Sequence, residues 1–286
     1  MGEIVYIDGD MMSSAEAKIS IFDRGFLYGD GLFETIRVYA KRPFLLERHL
    51  DRLRSSARVL KISCQPVSEL ESIVQAVLQA NNVEDGVLKI ILTRGTGERG
   101  LDFSEDAKPT LIVTLTGGIS YTEDMYDEGF SAAFVPEARS LGYLKSLNCL
   151  TNVVAKAFAK SRGAQEALFV RDGFVTEGTM SNVFAVRGRR LVTPALSHKI
   201  LPGITREHVL SLAADAGMDF CEGSLLREEL QESDEVFITN SILEIMPVVM
   251  IEGKKIGDGA PGATTAALRD KYRKSIIPYL KENKGA

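Results

Sequence analysis

Leu144-Lys145-Ser146-Leu147-Asn148 sets one lysine among apolar neighbours, and Val175-Thr176-Glu177-Gly178-Thr179-Met180-Ser181-Asn182 sets one carboxylate among small hydroxyl residues. Desolvation disfavours the charged form of an amine, and only the neutral amine attacks an aldehyde. A carboxylate flanked by small residues can approach a ring nitrogen closely and keep it protonated. Each residue also has a plain alternative. A lysine beside leucines snorkels from a helix or strand edge, and a Glu before Gly is an ordinary loop residue. The segments around them decide between the readings.

Three further blocks lie in order along the chain. Asp23-Arg24-Gly25-Phe26-Leu27-Tyr28-Gly29-Asp30-Gly31-Leu32-Phe33-Glu34-Thr35 precedes His49-Leu50-Asp51-Arg52-Leu53. Leu201-Pro202-Gly203-Ile204-Thr205-Arg206 comes next, and Val236-Phe237-Ile238-Thr239-Asn240-Ser241 leads to Met246-Pro247-Val248. Together with Thr151-Asn152-Val153-Val154-Ala155-Lys156 and Ser181-Asn182-Val183-Phe184, these blocks resemble the class IV pyridoxal-phosphate enzymes over nearly the whole chain. That family contains branched-chain aminotransferases, D-amino-acid aminotransferases and 4-amino-4-deoxychorismate lyases.

The resemblance implies a two-domain α+β fold of type IV with pyridoxal 5'-phosphate between the domains, and a homodimer. It makes Lys145 the catalytic Schiff-base lysine and proton shuttle, and Glu177 the partner of the pyridine nitrogen. Ile204 and Thr205 at a helix start, Arg52 and Ser241 are assigned to the phosphate; Tyr28, Phe33, Lys89, Arg99 and Asn240 are assigned to the substrate side. Read without the resemblance, Thr205 is a helix cap, Arg52 a solvated helix arginine, and Tyr28 and Phe33 core aromatics. Lys89 is then an exposed strand residue and Arg99 a solvated loop charge.

Composition sets the outer limits. With 286 residues and 45% apolar content, the chain can bury two cores, and 26% charged residues do not suggest disorder. A net charge of −5 and the lack of a basic stripe argue against nucleic acid as a partner. Arg187-Gly188-Arg189-Arg190 reads as a solvated hairpin turn. Cys64, Cys149 and Cys221 have no metal-ligand spacing and read as free thiols of a reduced compartment. His49, His198 and His208 are too scattered to suggest a metal site. No leader pattern and no membrane-length apolar run is visible, so a soluble cytoplasmic protein is expected.

Periodicity divides the chain into an N-terminal α+β domain over 1–117, a linker over 118–124 and a C-terminal α+β domain over 125–286. In the first domain, strands are expected at Ile4 to Ile7, Ile19 to Phe22, Glu34 to Tyr39, Val87 to Leu92 and Leu111 to Leu115. Helices are expected over His49 to Leu60 and Ser68 to Gln79. The second domain opens with a strand at Phe130 to Val135 and a helix over Asn148 to Ser161. Hairpins follow around Arg171-Asp172-Gly173 and Gly188, then a helix from Ile204, a strand at Glu235 to Thr239, a hairpin near Glu252-Gly253 and a C-terminal helix.

The blocks divide between the family's subgroups. Thr35, Leu150 and Thr179-Met180-Ser181-Asn182 depart from the branched-chain pattern, whereas Tyr28-Gly29-Asp30-Gly31, Gly100-Leu101-Asp102 and Ile256-Gly257-Asp258-Gly259 follow it. Lys145-Ser146-Leu147-Asn148 looks more like the D-amino-acid enzymes, and Arg99 falls where they carry a carboxylate-binding arginine. Leu101 stands in place of their accompanying histidine. Leu88-Lys89 and Thr239 to Val248 look closest to the lyases. The resemblance therefore implies an aminotransferase acting on a branched-chain L-amino acid or a D-amino acid with a 2-oxo acid. A deoxychorismate lyase is the alternative, and a non-catalytic cofactor-binding or dimerisation module is the second.

Overall fold

Strict alternation along the strands builds a sheet with one apolar face. The computed structural model describes residues 3–104, 106–136 and 141–282. In its first unit, β1 (Ile4–Ile7), β2 (Asp10–Ser13), β3 (Gly31–Tyr39), β4 (Arg42–Pro43), β5 (Gly86–Thr93) and β6 (Thr110–Gly117) form a six-stranded sheet. The order is β2-β1-β6-β5-β3-β4, and every pairing is antiparallel. Leu32, Ile36 and Val38 of β3, Leu88, Ile90 and Leu92 of β5, and Leu111, Val113 and Leu115 of β6 are buried on one face. α2 (Leu46–Leu60) and α3 (Val67–Ala80) cover that face with Leu50, Leu53, Leu70, Val74 and Val77.

The second unit begins with α4 (Glu123–Glu128), β7 (Phe130–Val135), α5 (Leu150–Ser161), β8 (Glu166–Arg171), β9 (Phe174–Gly178), β10 (Asn182–Arg187) and β11 (Arg190–Pro194). It continues with α6 (Ile204–Asp215), β12 (Asp219–Gly223), α7 (Arg227–Gln231), β13 (Glu235–Asn240), β14 (Glu244–Ile251), β15 (Lys254–Lys255) and α8 (Ala263–Glu282). The nine strands make one mixed sheet in the order β12-β11-β10-β13-β14-β7-β8-β9, with β15 on β14. Asp172 and Gly173 both take positive φ (53° and 84°) at the β8–β9 turn, the conformation a two-residue hairpin requires. Arg187 and Arg190 flank the β10–β11 turn and pair with Glu229 and Asp219 at the surface.

Two features differ from the sequence expectation. Residues 19–22 form no strand, because they pair with none of the described strands. Ile19, Ile21 and Phe22 stay 45%, 68% and 46% exposed, and Asp23 instead caps a short helix, α1 (Arg24–Tyr28), through a 2.7 Å bond from the Gly25 N–H. The first break of the chain falls inside the expected 118–124 stretch, but a later segment returns across it. The first unit ends at Ile119 and takes back Leu144–Asn148, while the second holds Ser120–Tyr143 and continues from Cys149. With α4 starting at Glu123, the expected linker already contains a helix start.

Candidate active site

Backbone pairing fixes Lys145. β4 covers the C-terminal part of one edge of β3, and residues 145–147 cover the N-terminal part. The Phe33 N–H donates to the Lys145 carbonyl at 2.9 Å, the Leu147 N–H donates to the Gly31 carbonyl at 2.9 Å, and Ser146 faces Leu32. Leu144 is buried in the first unit's core. This register sets Lys145 beside Phe33, with Nζ 4.5 Å from the ring centroid. Lys89, exposed on β5, brings its own Nζ to 5.3 Å from the same ring. The structure thus brings three of the expected residues together, two cations beside one aromatic ring.

The next residue of β3 points the other way. Glu34 is fully buried among the core positions and accepts a fork from Arg52 on α2, Nε at 2.8 Å and Nη2 at 2.6 Å. His49, one turn earlier on the same helix face, sets Nδ1 2.7 Å from Glu34 Oε2. Burial pushes the Glu34 carboxyl up, but the Arg52 charge and the hydrogen bonds from Arg52 and His49 together outweigh it and hold the pKa at about 2. His49 moves below its ordinary value through burial, with the Arg52 and Lys145 charges adding to the effect. The group is therefore an ionised carboxylate, a neutral imidazole that donates from Nδ1, and a guanidinium held in one orientation. Arg52 is not the solvated helix arginine that its residue type suggests.

Tyr28 closes α1, where its hydroxyl accepts from the Gly100 N–H at 3.0 Å and its ring lies 4.9 Å from the Arg24 guanidinium. Arg99 is exposed beside that bond, with no hydrogen-bond or ion-pair partner among the described residues.

In the second unit, β9 delivers Glu177, 5% exposed, and its Oε2 accepts from the Leu201 N–H at 3.0 Å. Asn182 Nδ2 donates to the Leu201 carbonyl at 2.9 Å, and any Cβ on Gly203 would meet Asn182 Oδ1 at 2.0 Å. Gly203 caps α6 without a side-chain bond, and the first helical bond runs from the Glu207 N–H to the Gly203 carbonyl. The amides of Ile204, Thr205 and Arg206 thus lie ahead of the ladder at the positive end of a 12-residue helix, next to the buried Thr205. Such an end suits an anion. Ser241 is half-buried just after β13. Asn240 is engaged by backbone: Nδ2 donates to the Met180 carbonyl at 3.0 Å, and Oδ1 accepts from the Ile242 and Leu243 N–H groups at 2.8 and 2.9 Å.

Glu34, His49 and Glu166 were absent from the sequence-derived set. Glu166 is 2% exposed and accepts from the Ala167 and Thr179 N–H groups and from the Thr179 and Ser181 hydroxyls, holding the turn that follows Glu177. Glu34 did leave a signal, since it is a carboxylate in phase with Leu32 and Ile36. Glu166 left none, because its partners lie thirteen and fifteen residues away in a turn.

Each unit holds donors of the kind pyridoxal phosphate takes: the first an amine beside an aromatic ring and a guanidinium oriented by a buried carboxylate, the second a buried carboxylate and an uncapped helix start at a glycine that leaves no room for a Cβ. Comparison with known proteins agrees. The chain is 38% identical over 277 residues to a Methanocaldococcus jannaschii protein provisionally named a branched-chain-amino-acid aminotransferase, covering 94% of this chain and 95% of that one. It is 36% identical over 275 residues to the D-alanine aminotransferase of Bacillus licheniformis, covering 96% and 97%. The structure is similar to a T.th. branched-chain amino acid aminotransferase solved with pyridoxamine 5'-phosphate, at TM-score 0.90 and 28% identity over 96% of this chain and 94% of that one. It is also similar to the 4-amino-4-deoxychorismate lyase of Pseudomonas aeruginosa, at TM-score 0.83 and 33% identity over 94% and 98%. The family model for amino-transferase class IV matches residues 31–251, and the chain belongs to that family of pyridoxal-phosphate enzymes, with its α+β, type IV fold.

Proposed function

We propose that this enzyme moves an amino group between an amino acid, either a branched-chain L-amino acid or a D-amino acid, and a 2-oxo acid. Pyridoxal phosphate supplies, when bound, an electron-withdrawing ring that stabilises negative charge at the substrate Cα. Lys145 anchors it and carries the Cα proton on Nζ. Glu177 keeps a proton on the ring nitrogen. Arg52, the amides of Ile204 and Thr205, the Thr205 hydroxyl and Ser241 hold the phosphate. Phe33 and Tyr28 line the substrate side, where Arg99 and Lys89 receive a carboxylate; the polar atoms of Asn240 serve the turn after β13. The observation that carries this reading is the bond from the Leu201 N–H to Glu177 Oε2. It ties the carboxylate on β9 to the segment that opens α6, so a ring nitrogen and an anion can be gripped by two segments held in register by that bond.

A lyase is the second reading, favoured by the 33% identity to the deoxychorismate lyase, which is close to that with the D-alanine enzyme. A substrate panel separates them: L-leucine, L-valine and D-alanine with 2-oxoglutarate or pyruvate, against aminodeoxychorismate alone. Conversion of an amino acid that depends on the oxo acid is expected. Pyruvate release from aminodeoxychorismate with no transamination would replace this reading by the lyase.

Glu177→Gln is expected to lower turnover roughly 10- to 100-fold with little change in cofactor affinity, since a charge-assisted contact contributes about 1.5–3 kcal/mol. An unchanged single-turnover rate would remove Glu177 from the site. Assembly as a homodimer in the cytoplasm completes the proposal. It is supported by Ile21, Phe26 and Leu150, which are 68%, 66% and 76% exposed, and by three free cysteines. Sedimentation at micromolar concentration should give twice the 31.3 kDa chain mass.

A further inference from the structure

A buried arginine holds the loop that carries Arg99 from beneath. Arg24, at the start of α1, is 3% exposed. Its Nη1 donates to the carbonyls of Glu98, Gly100 and Asp102 at 3.2, 3.0 and 3.1 Å, and its Nη2 donates to that of Leu101 at 3.3 Å. Its Nε donates to Asp30 Oδ2 at 3.0 Å. A second buried arginine, Arg94, forks onto the same carboxylate with Nε at 2.7 Å and Nη2 at 3.1 Å, and its guanidinium lies 3.7 Å from the Phe103 ring. Burial pushes the Asp30 carboxyl up, but the hydrogen bonds and charges of Arg94 and Arg24 together outweigh it and hold it below its usual range. The network therefore stays ionised at neutral pH.

Every acceptor that Arg24 uses in the loop is a backbone carbonyl, so its grip does not depend on the loop's side chains. The Arg24 stem also runs under Gly97, where a Cβ would come within 3.2 Å of Cδ. With these carbonyls bound to Arg24, the side chains of Arg99 and Leu101 remain exposed, Leu101 at 84%. Tyr28 fixes the same turn from outside through the Gly100 N–H.

We propose that Arg24 is a positioning residue for the substrate, holding the backbone of the 98–102 loop so that Arg99 is preorganised to receive the substrate carboxylate. This rests on the reading of Arg99 given above. A loop ordered in advance loses less freedom when the ligand arrives, so the benefit appears in binding before it appears in chemistry. Lysine cannot replace Arg24, because one ammonium has three donors and no planar fork to span four carbonyls and a carboxylate.

Arg24→Lys is expected to raise the Michaelis constant for the amino acid at least tenfold, with the turnover number within threefold of wild type. Arg99→Ala should give a similar rise, and the double variant should be no worse than Arg99→Ala alone. Limited trypsin digestion gives a readout independent of activity: cleavage after Arg99 should run at least tenfold faster in Arg24→Lys. If Arg99→Ala raises the Michaelis constant while Arg24→Lys changes neither that constant nor the cleavage rate, the positioning role is overturned. If Arg99→Ala changes nothing, the carboxylate reading of Arg99 falls and the proposal with it, and the digestion still reports whether Arg24 holds the loop. Should Arg24→Lys fail to fold, Gly97→Val presses on the Arg24 stem from within the loop. It should give the same split between binding and turnover, and wild-type values there would overturn the proposal.

Discussion

Lys145→Ala is expected to lower turnover by about 10³-fold or more, since a positioned proton carrier alone is worth ~10²–10⁴. It should also abolish the visible absorbance that borohydride discharges in the wild-type enzyme. The fold should survive. Lys145 is half-buried and its carbonyl accepts a backbone bond from the Phe33 N–H, which alanine keeps, while Leu144 and Ser146 on either side are buried. Removing the amine leaves Lys89 Nζ in place, 5.3 Å from the Phe33 ring centroid. Added small amines should restore part of the rate if the lost function is proton transfer at Nζ. Turnover within tenfold of wild type, in a variant that still binds cofactor, would exclude Lys145 as the anchor and proton carrier.

Most of the fold was legible because its determinants are local. The alternation of β3, the α3 stripe from Leu70 to Leu78 and the Asp172-Gly173 turn state their conformations within a few residues. The misread strand at 19–22 shows where that stops. Alternation reports a period, and a strand also needs a neighbour, which sequence periodicity does not supply. The same limit hid the return of Leu144–Asn148 to the first unit, since the partners of residues 145–147 are Gly31, Leu32 and Phe33, more than a hundred residues earlier. Lys145 and Glu177 are proposed from the wording of their segments, and the structure adds what surrounds each: the Phe33 ring and the Leu201 N–H. The groups that orient the site were harder, because Glu34, Glu166 and Asp30 act through partners that only tertiary structure brings near. Asn240, assigned to the substrate side by its block, makes its side-chain hydrogen bonds with the backbone of Met180, Ile242 and Leu243.

Glu34→Ala is expected to destabilise the protein by about 3–5 kcal/mol, the usual effect of removing one partner from a buried ion pair. The variant leaves the Arg52 guanidinium and the His49 imidazole in a site where Glu34 itself is 0% exposed. The wild-type acid response should report the same group. Glu34 titrates at about 2 when folded against 4.5 for the free side chain, so at neutral pH it contributes on the order of 3 kcal/mol. Because its folded pKa is depressed, that stability is present above pH 4.5 and lost as pH falls towards 2. His49 acts in the same direction from a higher pH. Its folded pKa lies below 6.5, so the unfolded chain takes up the proton first and stability begins to fall below that value. Urea midpoints from pH 7 to pH 3 should therefore fall less steeply in Glu34→Ala than in wild type below pH 4.5. A loss under 1 kcal/mol with an unchanged acid slope would show that the pair is not what holds this part of the core. Glu34→Leu combined with Arg52→Leu separates stability from function. An apolar replacement of both partners should recover much of the lost stability. Cofactor affinity should stay low, because the guanidinium proposed to hold the phosphate is gone; recovery of affinity as well would return Arg52 to a purely structural role.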